Sequence, residues 1–513
     1  MSTNMSSNNM RIAKNTVFLY IRMGISMLVG LYTSRIVLEA LGVDNYGIYN
    51  VVGSFIVAFT FISGPLGTAT QRFLNFELGK GSEGRLNKVF NLSFYTYLVL
   101  SLILVGVIEI AGYWFLTYKM QMPAERFDAA YFAFHMSVIT LVVNLIKTPL
   151  DALIIAYERM SFYAYVSIAD VLLKLINAFL LLHISFDKLK IFSLNMVVIS
   201  VIVIIATFIY IKRNFKIVQI QKIRRNWDQC LFKEMMGFSG WSLFGSVASM
   251  TANQGLNILL NLFFGVVVNA AMGIANQVNS AVVQFVSNFQ VAFRPQIVKY
   301  YAQNNLEELR KLILNTSKYS YLLLFAIACP VCFNMEFLLR VWLKNPPEYA
   351  AEFAIMMLFY ALLETLSAPM WMTVQATGKI KKYQLVISSV ISLNIVLSYI
   401  FLKMGFGPVT VLAIKCCLDV VYLIVRLIFM KAKIDFSLKE FLRRTMLPII
   451  LVSILCVAGV YFASEIATEG LTRLLVTTGV FLVLYTVSVL FIALNMKDRM
   501  RIHSFVVGKL RKV

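Results

Sequence analysis

Residues Asn91–Leu98 read NLSFYTYL, and residues Asn315–Leu322 read NTSKYSYL. An asparagine, a serine, two tyrosines and a leucine recur in register in the second half of the chain, and this recurrence decides how the chain is organised. Two more echoes keep nearly the same offset. YGIYNVV from Tyr46 matches MGIANQV from Met272, and PLDALIIAYERMSFY from Pro149 matches PMWMTVQATGKIKKY from Pro369. Three echoes in one order mark an internal duplication.

The surroundings of these echoes are apolar. Of the 513 residues, 59% are hydrophobic and only 14% charged, and the mean hydropathy is +0.77. That is too little polar surface to cover a soluble globule, so the chain reads as an all-α integral membrane protein. Apolar stretches of roughly 20 residues, each long enough to cross a bilayer, recur along the chain. About fourteen are expected, centred near residues 27, 58, 100, 142, 172, 200, 248, 280, 324, 362, 393, 419, 452 and 483. The echoes pair each helix with the one six later. The expected organisation is a six-helix bundle over residues 1–213, a basic loop over 214–233, a second six-helix bundle over 234–430, and two extra transmembrane helices with a basic tail over 431–513. An even offset keeps both bundles in one membrane orientation, so their pseudo-two-fold axis runs along the membrane normal.

The formal net charge of +22 is distributed by topology. Alternate loops, together with both tails, hold about 31 Lys and Arg, and the opposite loops hold about eight. The positive-inside rule then places both termini in the cytoplasm, with anionic lipid rather than nucleic acid as the partner of the basic charge. The tail KDRMRIHSFVVGKLRKV from Lys497 is expected to lie along that interface or to dock a partner. Six cysteines lack disulfide-framework spacing. Cys329 and Cys332 form a single CxxC within an apolar helix, without a second pair or a nearby histidine, and read as small helix side chains rather than a metal site.

Polar residues at helical spacing suggest a wet inner surface. The seventh expected helix carries Asn253 and Asn257, and the eighth carries Asn276 and Gln284. Each charge placed inside a span costs about 2.5–3.5 kcal/mol at its centre. Such charges occur as Lys147/Asp151, Asp170/Lys174 and Lys415/Asp419, all at i,i+4, where each pair can satisfy itself locally. Arg22 has no carboxylate three or four positions away, and Arg294 ends the eighth helix. Arg22, Lys147, Lys174, Arg294 and Lys415 are therefore the cationic candidates for an anion path, with Asp151, Asp170 and Asp419 as their charge partners. Glu364 lacks a basic neighbour at three or four positions and is the candidate for carrying a coupling ion.

The stretch NTVFLYIRMGISMLVGLYTSRIVLEALGVDNYGIYNVVGS, from Asn15, resembles the N-terminal region of bacterial polysaccharide-biosynthesis membrane proteins. These are Wzx-type oligosaccharide flippases of the MOP (MATE-like) superfamily. The LGVDNYGIYN turn from Leu41 and the two-half layout carry the resemblance along the chain. It implies an inner-membrane flippase that moves a polyprenyl-diphosphate-linked oligosaccharide to the periplasmic leaflet by alternating access, for O-antigen, capsule or exopolysaccharide synthesis. It also implies contact with polysaccharide polymerase or other assembly proteins. The charges suit that cargo, since carrying a bare diphosphate through hydrocarbon costs on the order of tens of kcal/mol. No cofactor or metal is implied, and no P-loop is present, so an ion gradient or the membrane potential is the expected energy source. The alternatives are a MATE-type multidrug cation antiporter and a lipid II flippase. An enzyme is disfavoured, because the outer loops are short and His135, His183 and His503 lie far apart in sequence.

Overall fold

In the computed structural model of the protein, residues 2–57, 59, 63–118, 124–215, 227–343, 345–466, 470–494 and 499 are described. These residues are almost wholly helical and contain no strand. Their order is α1 (Ser2–Val57), α2 (Ser63–Lys80), α3 (Glu83–Tyr118), α4 (Phe127–Ala156), α5 (Met160–Leu182), α6 (Lys188–Asn214), α7 (Gln229–Phe264), α8 (Val266–Ala302), α9 (Leu306–Phe333), the short α10 (Met335–Leu343), α11 (Ala350–Ala376), α12 (Lys381–Lys403), α13 (Thr410–Ile434), α14 (Leu438–Ile466) and α15 (Leu471–Ala493). Among the described residues, ten helices are long and apolar enough to cross a membrane. Helices α7, α8 and α13 have the length for a span but carry more polar side chains along it. The centre expected near residue 58, most of the basic loop 214–233 and the tail from Lys497 other than Arg499 lie outside the described residues.

Local chemistry sets the breaks. The LGVDNYGIYN stretch, read as a turn, is helical except at Gly42, where φ of +76° divides α1 into two limbs. Asp187 caps α6 by accepting from the Leu189 and Lys190 amides at 3.1 and 3.3 Å, and Asn305 caps α9 through the Glu308 amide at 3.3 Å. The duplication is also visible in the breaks. Pro149 in α4 and Pro369 in α11 each stand seven residues before the helix end. The turns that follow place Glu158 (φ +58°) and Gly378 (φ +76°), which occupy matching positions of the two echoes, in the left-handed region.

The chain divides into two compact units. The first holds Met1–Ser246 with Val291–Asn304, and the second holds Val247–Gln290 with Asn305–Val513, so the divisions fall inside α7, inside α8 and between α8 and α9. The core of the first unit lies between the second limb of α1, α3 and α4, where Phe55 stacks on Phe115 at 4.9 Å beside buried Ile108, Phe134 and Val138. At one end of this unit, α2 and α8 cross so closely at Gly79 that a Cβ there would lie 2.8 Å from Ala302 Cβ and 3.0 Å from Lys299 backbone atoms. Lys299 Nζ donates to Glu158 Oε1 at 2.8 Å, and the glutamate side chain is almost fully buried.

In the second unit, α14 and α15 are held to α9 by a line of polar contacts. Lys318 Nζ donates to the Ala493 carbonyl at 2.6 Å and Thr445 Oγ1 to the Leu314 carbonyl at 3.1 Å. Tyr321 and Ser453 hydroxyls meet at 3.1 Å, the Tyr485 hydroxyl donates to the Leu322 carbonyl at 2.9 Å, and Asn334 Nδ2 donates to Thr477 Oγ1 at 3.0 Å. In hydrocarbon such contacts replace the missing hydrophobic drive between helices.

Candidate functional site

In the first unit the polar residues gather along α5. Tyr163, Ser167, Asp170, Lys174 and Asn177 follow at steps of four and three, which aligns them on one face. Lys174 Nζ donates to Asp170 Oδ2 at 2.7 Å. At a rise of about 1.5 Å per residue, the pair stands roughly 15–21 Å from the start of a helix roughly 34 Å long, close to its middle. Below it, the Arg22 guanidinium lies 5.2 Å from the centre of the Tyr163 ring, within cation–π range. Above it, buried Asn177 accepts from Asn195 Nδ2 at 2.8 Å. On α4, Lys147 Nζ donates to Asp151 Oδ2 at 2.9 Å, with both side chains partly buried. Arg294 is half-buried on α8.

The second unit holds a cluster of different character. Lys415 has the same i,i+4 relation to Asp419, yet it turns away. Its Nζ donates to Asn253 Oδ1 on α7 at 3.2 Å and lies 4.4 Å from the Tyr360 ring centre on α11. Asp419 is 1% exposed, and among the described residues neither of its carboxylate oxygens has a hydrogen-bond partner. Arg426, two turns along the same face, is buried and also engages neutral groups, donating from Nε to the Tyr383 hydroxyl at 3.0 Å and from Nη1 to Ser367 Oγ. Glu364 and Asp419 sit in Coulombic reach of each other and of both cations. Glu364, the candidate for carrying a coupling ion, has an exposed side chain. Of the polar lining residues, Asn253 belongs to this cluster and Asn257 donates to Gln254 Oε1 at 3.3 Å, while Asn276 is half-buried and Gln284 exposed along α8.

The sequence-derived charges thus form local arrangements. Two of the three expected i,i+4 pairs close and the third opens, because the Asn253 amide and the Tyr360 face offer Lys415 another seat. Tyr360, Ser367 and Tyr383 were missed, since a tyrosine or serine in an apolar helix reads as packing. The signal for Tyr383 was its place in the repeat, where it matches Tyr163. Both tyrosines take an arginine, one over its ring and one at its hydroxyl.

The MatE family profile matches residues 233–400. No curated protein sequence matches significantly. Among solved structures, an outward-facing multidrug resistance MATE family transporter of the MOP superfamily superposes with a TM-score of 0.69 at 15% identity, over 83% of this chain and 95% of that one. A MATE protein in the straight conformation gives a TM-score of 0.67 at 17% identity, over 83% and 96%. A MOP superfamily transporter from Pyrococcus furiosus, whose binding pocket is described as having reverse polarity suggesting a different function, gives 0.67 at 16%, over 83% and 95%. The chain therefore has the fold of MATE and MOP transporters.

Proposed function

We propose that this protein is a transporter of the bacterial cytoplasmic membrane, with both termini in the cytoplasm, that flips a polyprenyl-diphosphate-linked oligosaccharide by alternating access. The observation that carries this reading is the polar face of α5, where Tyr163, the Asp170/Lys174 pair and Asn177 follow one another along a helix of bilayer length, with Arg22 of α1 over the Tyr163 ring. Intramembrane charges of this kind mark a substrate path. A diphosphate head group needs hydrogen-bond donors throughout its passage, and an arginine fork beside a tyrosine suits its first contact. The prenyl tail remains in lipid. Lys147, Lys174, Arg294 and Lys415 extend the basic character. Export for O-antigen, capsule or exopolysaccharide assembly follows from this cargo, with the polymerase as the receiving partner. Energy comes from an ion gradient acting on the second-unit acids, with Glu364 as the coupling candidate.

The test is flipping of a fluorescent lipid-diphosphate saccharide in proteoliposomes. Arg22→Ala is expected to abolish flipping while inserting normally, and unchanged flipping by that variant would sink the proposal. A second reading, export of organic cations by antiport, is favoured by the MatE match and by the likeness to a multidrug transporter. Ethidium efflux from the same vesicles, unaffected by lipid-linked saccharide, would select it. Lipid II, as a competing cargo, is separated in the same assay by its peptide-bearing head group.

A further inference from the structure

We infer that the end of α13 and the start of α14 form a seat for an anionic phospholipid, its phosphate held by Lys439 and Arg443 with Lys431 and Lys433 beside them. The 20 residues Leu447–Ile466 supply a span of about 30 Å, the thickness of the hydrocarbon layer. The turns before Leu447 therefore stand at the level of the lipid head groups. So does the end of α13, which only Asp435, Phe436 and Ser437 separate from α14. The first turns of α14 are ordered in stripes. Lys439 and Arg443, four apart, share one exposed face, and Leu438 and Leu442, each about half exposed, share the face beside it. On the other side Glu440 and Arg444 pair at 3.0 Å. A π turn at Leu442–Met446 sets this presentation. The wider turn buries Thr445, whose hydroxyl donates to the Leu314 carbonyl at 3.1 Å, and leaves Leu442, Arg443 and Arg444 exposed.

The cations around this corner divide into two groups. Arg310 donates to the Ile434 carbonyl at 2.8 Å and faces Asp435 at 3.8 Å, Lys311 pairs with Glu307 at 2.6 Å, and Arg444 has Glu440. Lys431, Lys433, Lys439 and Arg443 are exposed, and among the described residues none of their side chains has an ion pair or a hydrogen bond. Four unpaired cations around a three-residue turn repel one another until an anion lies among them. Beside an apolar stripe at head-group depth, the anion that fits is one carrying acyl chains. The Arg443 fork suits the phosphate, and the chains run past exposed Leu442 and Leu447 into the bilayer. This seat concerns the surrounding membrane and stands whichever cargo the protein moves.

The test uses the full chain in detergent micelles, titrated with phosphatidylglycerol or phosphatidylcholine, with native mass spectrometry counting the lipid retained. Phosphatidylglycerol is expected to bind in preference. Lys439→Gln with Arg443→Gln should weaken its tightest site about 25-fold, from about fivefold for each charge. Glu440→Gln with Arg444→Gln, which removes the neighbouring pair, should leave that site unchanged. Free glycerol phosphate should fail to displace the lipid. Equal retention of phosphatidylcholine, or phosphatidylglycerol binding unmoved in Lys439→Gln with Arg443→Gln, overturns the inference. Displacement by free glycerol phosphate overturns the lipid as occupant in favour of a soluble phosphate. Lys431→Gln with Lys433→Gln, on the other side of the turn, is expected to weaken the same site and provides the refuting measurement should the first variant fail to insert.

Discussion

At the scale of single residues, composition and spacing revealed the charges but not their partners. An i,i+4 lysine and aspartate in an apolar helix can be read directly from the sequence. Whether they close depends on what neighbouring helices offer the lysine, and for Lys415 that offer comes from Asn253, on a helix far away in the chain. The Asp170/Lys174 pair lends itself to a comparison of single and double variants. Asp170→Leu leaves Lys174 uncompensated near the middle of α5 and should lower membrane yield, since an isolated lysine there costs about 2.5–3.5 kcal/mol. Replacing both residues with leucine should restore yield. If the double variant also transports normally, the pair only neutralises itself; if yield returns without transport, the pair lines the path. Comparing membrane-extracted monomer with flipping rate separates these outcomes.

At the scale of elements, the helices were legible because bilayer-length apolar runs leave few alternatives. The limb structure of α1 was not, because LGVDNYGIYN carries turn residues and yet only Gly42 leaves helical geometry. The duplication, seen first as letters, extends to backbone torsion at Glu158 and Gly378. Glycine adopts a positive φ freely, whereas glutamate there carries strain, generally about 1–3 kcal/mol. The buried Lys299 contact is what holds it. Glu158→Gly should therefore relieve strain and lose the ion pair at once, while Glu158→Ala loses the pair and keeps the strain. Thermal unfolding in detergent should rank wild type above Gly and Gly above Ala, with Ala about 1–3 kcal/mol less stable than Gly. Equal midpoints for Gly and Ala would show that the turn stores no strain.

At the scale of the whole molecule, the two extra helices α14 and α15 raise the question of how a duplicated chain acquires parts that only one copy holds. The motif that revealed the duplication answers it. In NLSFYTYL the fourth residue is Phe94; in NTSKYSYL it is Lys318, whose ammonium is buried against the last carbonyl of α15. Tyr321 and Leu322 of the same motif hold Ser453 and Tyr485. Truncation after Ile434 should thus leave a lysine facing lipid and destabilise the remainder. Adding Lys318→Phe, the residue at the first copy's equivalent position, should recover stable insertion, measured as monodisperse protein after extraction. Failure of that substitution to improve on truncation alone would count against Lys318 as the cause. Of the three letters in which the copies differ, Phe94 against Lys318 is the one that makes them non-interchangeable. A chimera carrying the first motif in the second place would be expected to keep the Tyr321 and Leu322 contacts and lose the anchor on the Ala493 carbonyl, so the docking of the appended pair is specified by its receptor surface together with its own sequence.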